Sequence, residues 1–368
     1  MLNLFYLVLF ARGVYALMWF YVAPVIPTML REFGVAPAAA GLLPAAFIVG
    51  AAATQLPASY LGARYGHDRV AGIGMVIFGA SSVLMSVAPW WEWALGFRAL
   101  GGVGAGLFFS TAGAVLVALR PNAVGSALGW YNASFNLGSF VGYYWGYVAS
   151  AVGWRLALGA PGVLAAALGV ALLKGHGFKT KAFVNWKTAL FGLASFPFWG
   201  AVYAANSLTA TWIHLYRNVG EDVAGAISSA SMISGFFGGF VGRLYDRAKN
   251  KLYIFLGAPL TATLAYITLP YISLGAAPLL IFLYGLSFST YITAVYAVAS
   301  KISENPAAAL AMINVTNMAL GLHLSYVFSW LMTAGPMYPW LLLSMSTFSS
   351  GVSTYIVLKR LKTYYIEI

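Results

Sequence analysis

Arg12 and Arg98 stand inside long apolar runs, where a cation costs a few kcal/mol or more unless it faces protein, water or an anion. Arg12 lies about eight residues into its run, about 12 Å from the end at 1.5 Å per residue. Tyr15 and Trp19 follow it at i+3 and i+7, on the same helical face. That face sets a cation beside aromatic walls, a chemistry suited to holding an anion; snorkelling to the membrane edge is the alternative. Arg98 lies about six residues from the opposite end of its run, as a hydrogen-bond donor between helices or as a ligand contact. Helix rise puts the two arginines over about 10 Å apart axially, so one small anion is not expected to bridge both.

Further polar and aromatic side chains fall at helical spacing. Trp199, Tyr203 and Asn206 share one face, and Tyr284, Ser287 and Tyr291 share another. Asn132 and Asn136 are echoed by Asn314 and Asn317; amides within spans must find partners or water, and bonds between helices are the simplest account. The eight acidic residues all fall at run ends or in loops, so a buried carboxylate relay is not evident. Of the histidines, His214 reads as structural or interfacial, and His323, deeper in its run, is the candidate for proton coupling. The chain has no cysteine, no HExxH arrangement and no acidic pair within a run. No catalytic residue, metal site or cofactor is therefore expected, and a polytopic membrane enzyme is a remote reading.

The elements that must position these residues follow from composition. Of the 368 residues, 61% are hydrophobic, far above the roughly 45–50% of a soluble domain. The runs are long enough for helices to cross a layer about 30 Å thick. Twelve spans are expected, at about 4–29, 37–61, 69–89, 92–119, 123–149, 154–173, 188–214, 222–244, 252–272, 277–300, 306–333 and 337–358. This is an all-α integral membrane protein: an N-terminal six-helix bundle (1–173), a cytoplasmic linker (174–187) and a C-terminal six-helix bundle (188–368). The net charge of +12 is a matter of topology and not of nucleic-acid binding. Fifteen of the twenty basic residues fall in loops on one side and three on the other, which predicts both termini in the cytoplasm and the cytoplasmic membrane as the location. Gly102, Gly104 and Gly106, Gly125 and Gly129, and Gly138, Gly142 and Gly146 are spaced for close helix packing.

The segment GRLYDRAKNK, from Gly242 to Lys251, has a poorer copy, SYLGARYGHDR, from Ser59 to Arg69, offset by about half the chain. With an Arg followed by small residues at Arg98 and the Gly153, Trp154, Arg155 triplet, the chain resembles a major facilitator superfamily transporter over essentially its whole length. The second copy carries the signature's Gly242, Asp246 and Arg247. The first keeps Arg64, Gly66 and Arg69, but has Ser59 and Ala63 where Gly and Asp belong. The resemblance implies two bundles related by a pseudo-two-fold axis, a mid-membrane site lined by the first, fourth, seventh and tenth helices, and alternating access. It gives these signature residues a conformational role. The antiporter Gly-Pro signature is absent from the fifth span.

The expected function is a secondary active or facilitative transporter of a small solute, an organic or inorganic anion, working as a monomer in the lipid bilayer with a coupling proton or ion left open. The expected substrate contacts are Arg12, Tyr15, Trp19, Arg98, Tyr203, Asn206, Tyr284 and Tyr291. Export of amphipathic or drug-like compounds is the alternative, and a non-transporting sensor a remote one. With Ala63 in the acidic position the first latch should be the weaker, Asp68 compensating in part.

Overall fold

Helices in lipid satisfy their own backbone, and chain breaks fall where this sequence withdraws a donor or needs an unusual φ. The computed structural model describes residues 2–175, 177–179, 188–237, 247, 252–302 and 306–362; Gly242 and Asp246 lie outside them. Among the described residues every regular element is helical.

The N-terminal half comprises α1 (Leu2–Phe20), a 3-10 turn (Ala23–Val25), α2 (Ile26–Phe33), α3 (Leu42–Tyr65), α4 (His67–Ser86), α5 (Trp91–Leu119), α6 (Val124–Val152) and α7 (Trp154–Leu173). The C-terminal half comprises α8 (Ala189–Arg217), α9 (Glu221–Ser228), α10 (Ala230–Ile233), α11 (Leu252–Thr268), α12 (Ala277–Ile302), α13 (Pro306–Gly321), α14 (His323–Met332) and α15 (Tyr338–Lys362). With α1–α2, α9–α10 and α13–α14 each counted as one interrupted column, this gives the twelve expected spans in two bundles.

The first span differs from the continuous helix expected. It breaks after Phe20 because Pro24, four residues on, has no N–H to give the Phe20 carbonyl. Two other junctions are single glycines at positive φ, Gly66 (+104°) and Gly153 (+81°), which reverse the chain between α3 and α4 and between α6 and α7. A side chain at either position would be strained.

Eight of the helical segments are long and apolar enough to span a membrane by composition alone. The other four columns, α6, α8, α9–α10 and α13–α14, include the helical amides Asn132, Asn136, Asn206, Asn314 and Asn317. All four touch the opposite half, so their polarity belongs to the boundary between bundles.

Glycines bring backbones into contact as expected. A Cβ at Gly102 would sit 1.9 Å from the Phe47 carbonyl oxygen, and one at Gly138 would sit 2.0 Å from that of Gly13. These close α3 on α5 and α1 on α6. Gly129 faces open space instead and does not pack a helix pair.

At the end of the molecule near the N-terminus, the start of the connection between the halves is fastened down. Asp68, fully buried in the first turn of α4, accepts hydrogen bonds from the backbone N–H of Gly177 (2.8 Å) and of Arg69 (3.1 Å). The Phe178 carbonyl accepts from the His67 N–H at 2.7 Å. Arg64, Arg69 and Arg247 are exposed.

At the opposite, distal end the halves are joined. Arg31 forms a salt bridge to Glu221 at 2.6 Å, Thr28 donates to both Glu221 oxygens at 2.7 Å, and His214 Nε2 lies 3.2 Å from Arg31 Nη1. Ser329 donates to the Ala38 carbonyl at 2.7 Å. Trp154 and Arg155 both bind the Glu32 carboxylate, tying α7 to the end of α2.

Candidate functional site

Trp19 is the hub where the two halves meet. Its ring centroid lies 4.7 Å from Phe47, 5.4 Å from Tyr15, 6.1 Å from Phe135, 6.3 Å from Phe20 and, across the boundary, 6.4 Å from Tyr203. Trp199 stacks on Tyr203 at 5.3 Å, extending the aromatic wall into the C-terminal half. Trp19, Phe20, Pro44, Arg98, Tyr203 and Ser207 line a cavity of about 10 Å³, room for about one water molecule. An organic solute requires the helices to part.

Arg98 is held by the break in α1. Its Nη1 and Nη2 donate to the carbonyls of Met18 (3.2 Å) and Trp19 (2.7 Å), and its guanidinium lies 4.2 Å from the Phe47 centroid. Those carbonyls end a helix, so the cation also meets the negative pole of α1. Only Nε is left without a partner.

Arg12 has the opposite surroundings. It is buried at 2% exposure, and its Nε and Nη1 have no hydrogen-bond partner. Four rings enclose it, with centroids at 4.1 Å (Tyr131), 4.4 Å (Phe135), 4.8 Å (Tyr15) and 4.8 Å (Phe109). A desolvated cation–π contact contributes about 0.5–2 kcal/mol, so the cage offsets part of the burial cost while donating no counter-charge. The salt bridges among the described residues lie elsewhere, at Arg31, Arg155 and His214.

The spacing that grouped Arg12, Tyr15 and Trp19 also groups buried atoms that make no hydrogen bond in good geometry: Arg12 Nε and Nη1, Tyr15 Oη and Trp19 Nε1; Tyr15 stands beside Arg12, and Trp19 beside Tyr203, close enough for a weak polar contact. With Arg98 Nε, five such atoms face the N-terminal side of the centre. All five can donate, and none carries negative charge. The two arginines share no hydrogen-bond or ring partner: Arg12 meets Tyr15, Phe109, Tyr131 and Phe135, and Arg98 meets Met18, Trp19 and Phe47.

The remaining expected residues divide. Tyr203 reaches the cavity, and its hydroxyl donates to the Pro44 carbonyl at 3.1 Å. Asn206 accepts from the Tyr284 hydroxyl at 3.3 Å through Oδ1 and from the Tyr143 hydroxyl at 2.6 Å through its backbone oxygen, a contact between halves. Tyr291 is turned into the C-terminal bundle, bonded to Ser350 (2.9 Å) and Thr354 (2.5 Å). His323 is exposed on α14, with Nδ1 2.7 Å from the Leu320 carbonyl oxygen, and does not line the cavity. Asn314 accepts from Tyr296 (2.5 Å) and Asn317 from Ser195 (2.8 Å), as bonds within the C-terminal half.

Sequence reasoning passed over Phe47, Phe109, Tyr131 and Phe135. In a chain that is 16% aromatic, helical spacing alone does not single them out. Their shared signal is proximity to an arginine, which needs the fold.

The chain matches the family model of the Major Facilitator Superfamily over residues 8–325. No curated protein matches it in sequence. Among solved structures it resembles the nucleoside transporter NupG, with a TM-score of 0.79 and 14% identity, over 98% of this chain and 100% of that one. It also resembles a bacterial homologue of the human lysosomal transporter Spinster in an inward-facing, unoccupied conformation (0.76, 15%, 100% and 98%). A D-xylose-proton symporter is similar as well (0.76, 13%, 95% and 95%). At these identities the likeness speaks to the fold.

Proposed function

The chain belongs to the major facilitator superfamily, a multi-pass membrane transporter and not an enzyme, and on that premise we propose that it carries a small anion, organic or inorganic, past Arg12 by alternating access. The observation that supports this reading is the set of buried, unpartnered donors at Arg12, Tyr15, Trp19 and Arg98. A buried cation left without a counter-ion is destabilising by several kcal/mol, and a transported anion supplies what the protein withholds. Arg12 is the binding cation. Tyr15 and Trp19 complete its face, Tyr203 closes it from the C-terminal half, and Asn206, bonded to Tyr284 on its own side, couples the halves through Tyr143.

The proposed location is the cytoplasmic membrane with both termini inside, which makes the distal cluster of Arg31, Glu221, Thr28 and His214 the external gate, closed here. The working unit is a monomer, and the signature residues Arg64, Gly66, Arg69 and Arg247 lie on the cytoplasmic side in this reading; Gly242 and Asp246 share their proposed conformational role on sequence grounds. His323 is retained as the coupling candidate, to be read from the pH dependence of uptake in His323→Gln. Uptake into proteoliposomes with candidate carboxylates, phosphorylated solutes and nitrate tests the central reading: unchanged uptake in Arg12→Ala overturns it.

The aromatic wall of Trp19, Phe47, Tyr203 and Trp199 favours a second reading, export of amphipathic compounds. Inhibition by hydrophobic cations and not by anions would select it.

A further inference from the structure

Two rings stand between Arg12 and the central cavity, and they are held differently. Tyr15 is fully buried, lies on α1 with Arg12 and Trp19, and packs on Phe78 (5.7 Å) and Phe108 (5.1 Å). Phe135 comes from another helix, α6, and is only half-buried. Its ring touches Arg12 at 4.4 Å and lies 6.1 and 6.2 Å from Trp19 and Phe20, both of which line the cavity. Of the other cage rings, Tyr131 is pinned by its hydroxyl, which donates to the Phe109 carbonyl at 2.6 Å. Phe135 has no polar atom to anchor it, and a phenyl ring moves by rotation about two side-chain torsions.

We propose that Phe135 is the selectivity gate of the anion site and that the substrate is an organic monocarboxylate with a flat apolar body. The inference rests on the anion reading of Arg12. When the Phe135 ring turns aside, the Arg12 guanidinium, with Nε and Nη1 unpartnered, opens towards the cavity. Nε and Nη1 lie on different edges of the guanidinium, so either one offers a single charge-assisted N–H to a carboxylate oxygen. The body of the ligand then takes the place of the phenyl ring between Arg12 and the Trp19–Phe20 pair, whose spacing suits edge-on or offset contact with another planar group. A second negative charge finds no partner, because two of the three nitrogens of Arg98 are committed to the Met18 and Trp19 carbonyls. An inorganic anion has no apolar body to fill the space that the ring vacates.

The test is isothermal titration of purified full-length protein with benzoate, naphthoate, inorganic phosphate and nitrate. Wild type, Phe135→Leu, Phe135→Ala and Arg12→Gln are compared, each checked for folding by its melting temperature. Benzoate should bind wild type at least about tenfold tighter than phosphate or nitrate. Phe135→Ala should shift the naphthoate-to-benzoate affinity ratio at least about tenfold towards naphthoate, and Phe135→Leu should shift it less. A uniform change of all affinities in the Phe135 variants overturns the gate, because loss of packing alone moves every ligand alike. Phosphate or nitrate binding as tightly as benzoate, or no aromatic carboxylate binding wild type, overturns the substrate class. In each case, loss of the remaining anion binding in Arg12→Gln leaves the anion reading standing. Anion affinities unchanged in Arg12→Gln overturn that reading along with the gate.

Discussion

Arg98 donates to the Trp19 carbonyl at 2.7 Å across the point where α1 stops for want of backbone donors. A side chain from α5 thereby serves the Met18 and Trp19 carbonyls in place of the Val22 and Ala23 N–H groups, which have turned out of the helix ahead of Pro24, and it fixes the direction in which the Trp19 ring enters the boundary between halves. Arg98→Ala should lower stability by about 2–4 kcal/mol, the worth of two hydrogen bonds from a charged group less relaxation. Arg98→Lys should recover only part, because one ammonium cannot reproduce the planar fork. Thermal unfolding in detergent reads this; a melting temperature unchanged in Arg98→Ala contradicts the role.

Arg12 should behave in the reverse sense. Its charge is caged by rings and left without an acceptor, so Arg12→Met should raise stability by about 1–3 kcal/mol while uptake falls at least about tenfold. Melting temperature and proteoliposome flux, measured on the same preparation, give the two signs. A variant that loses both contradicts the assignment of Arg12 to binding.

The distal cluster admits a labelling test, since the chain contains no cysteine. Ser207 lines the cavity, so Ser207→Cys places one thiol behind the Arg31–Glu221 bridge. With Arg31 exposed at 61% and screened by solvent, the pair is worth only about 1 kcal/mol by itself, enough for about a fivefold change in population. Glu221→Gln should speed modification by an impermeant maleimide by about that factor, and an unchanged rate means the cluster does not gate access.

Asp68 is open to two independent changes. Asp68→Asn removes one negative acceptor from two backbone N–H groups. Gly175→Ala would bring a Cβ within 2.0 Å of Asp68 Oδ2, displacing the same segment sterically. Both should speed proteolysis within the connection between halves by about fivefold or more, leaving the bundles intact on a gel. Uptake measured beside Asp246→Asn tests the expectation that the second signature acid matters more.

The arrangement of twelve spans was legible because burial in lipid forces helices and because charge punctuates them. Arg12, Tyr15 and Trp19 were legible as one face for the same reason, since a helix alone sets their relation. Arg98 was ambiguous: its role depends on carbonyls freed in a different span, and the cause, Pro24, lies seventy-four positions away. The kink in the first span was there to be read at Pro24 and Pro27, but the apolar run continues through both. Tyr291 shows the converse limit. It has the right spacing for a lining residue, yet Ser350 and Thr354 offer its hydroxyl partners that only packing reveals.

The docking of Gly177 on Asp68 sets the length of a leash. From Phe178 to Ala189 there are eleven residue steps, which reach at most about 36–40 Å when fully drawn out. Counted from Leu173, with the segment released, sixteen steps reach about 53–58 Å. One buried carboxylate therefore trims the tether by about a third and keeps each bundle at a higher effective concentration around the other.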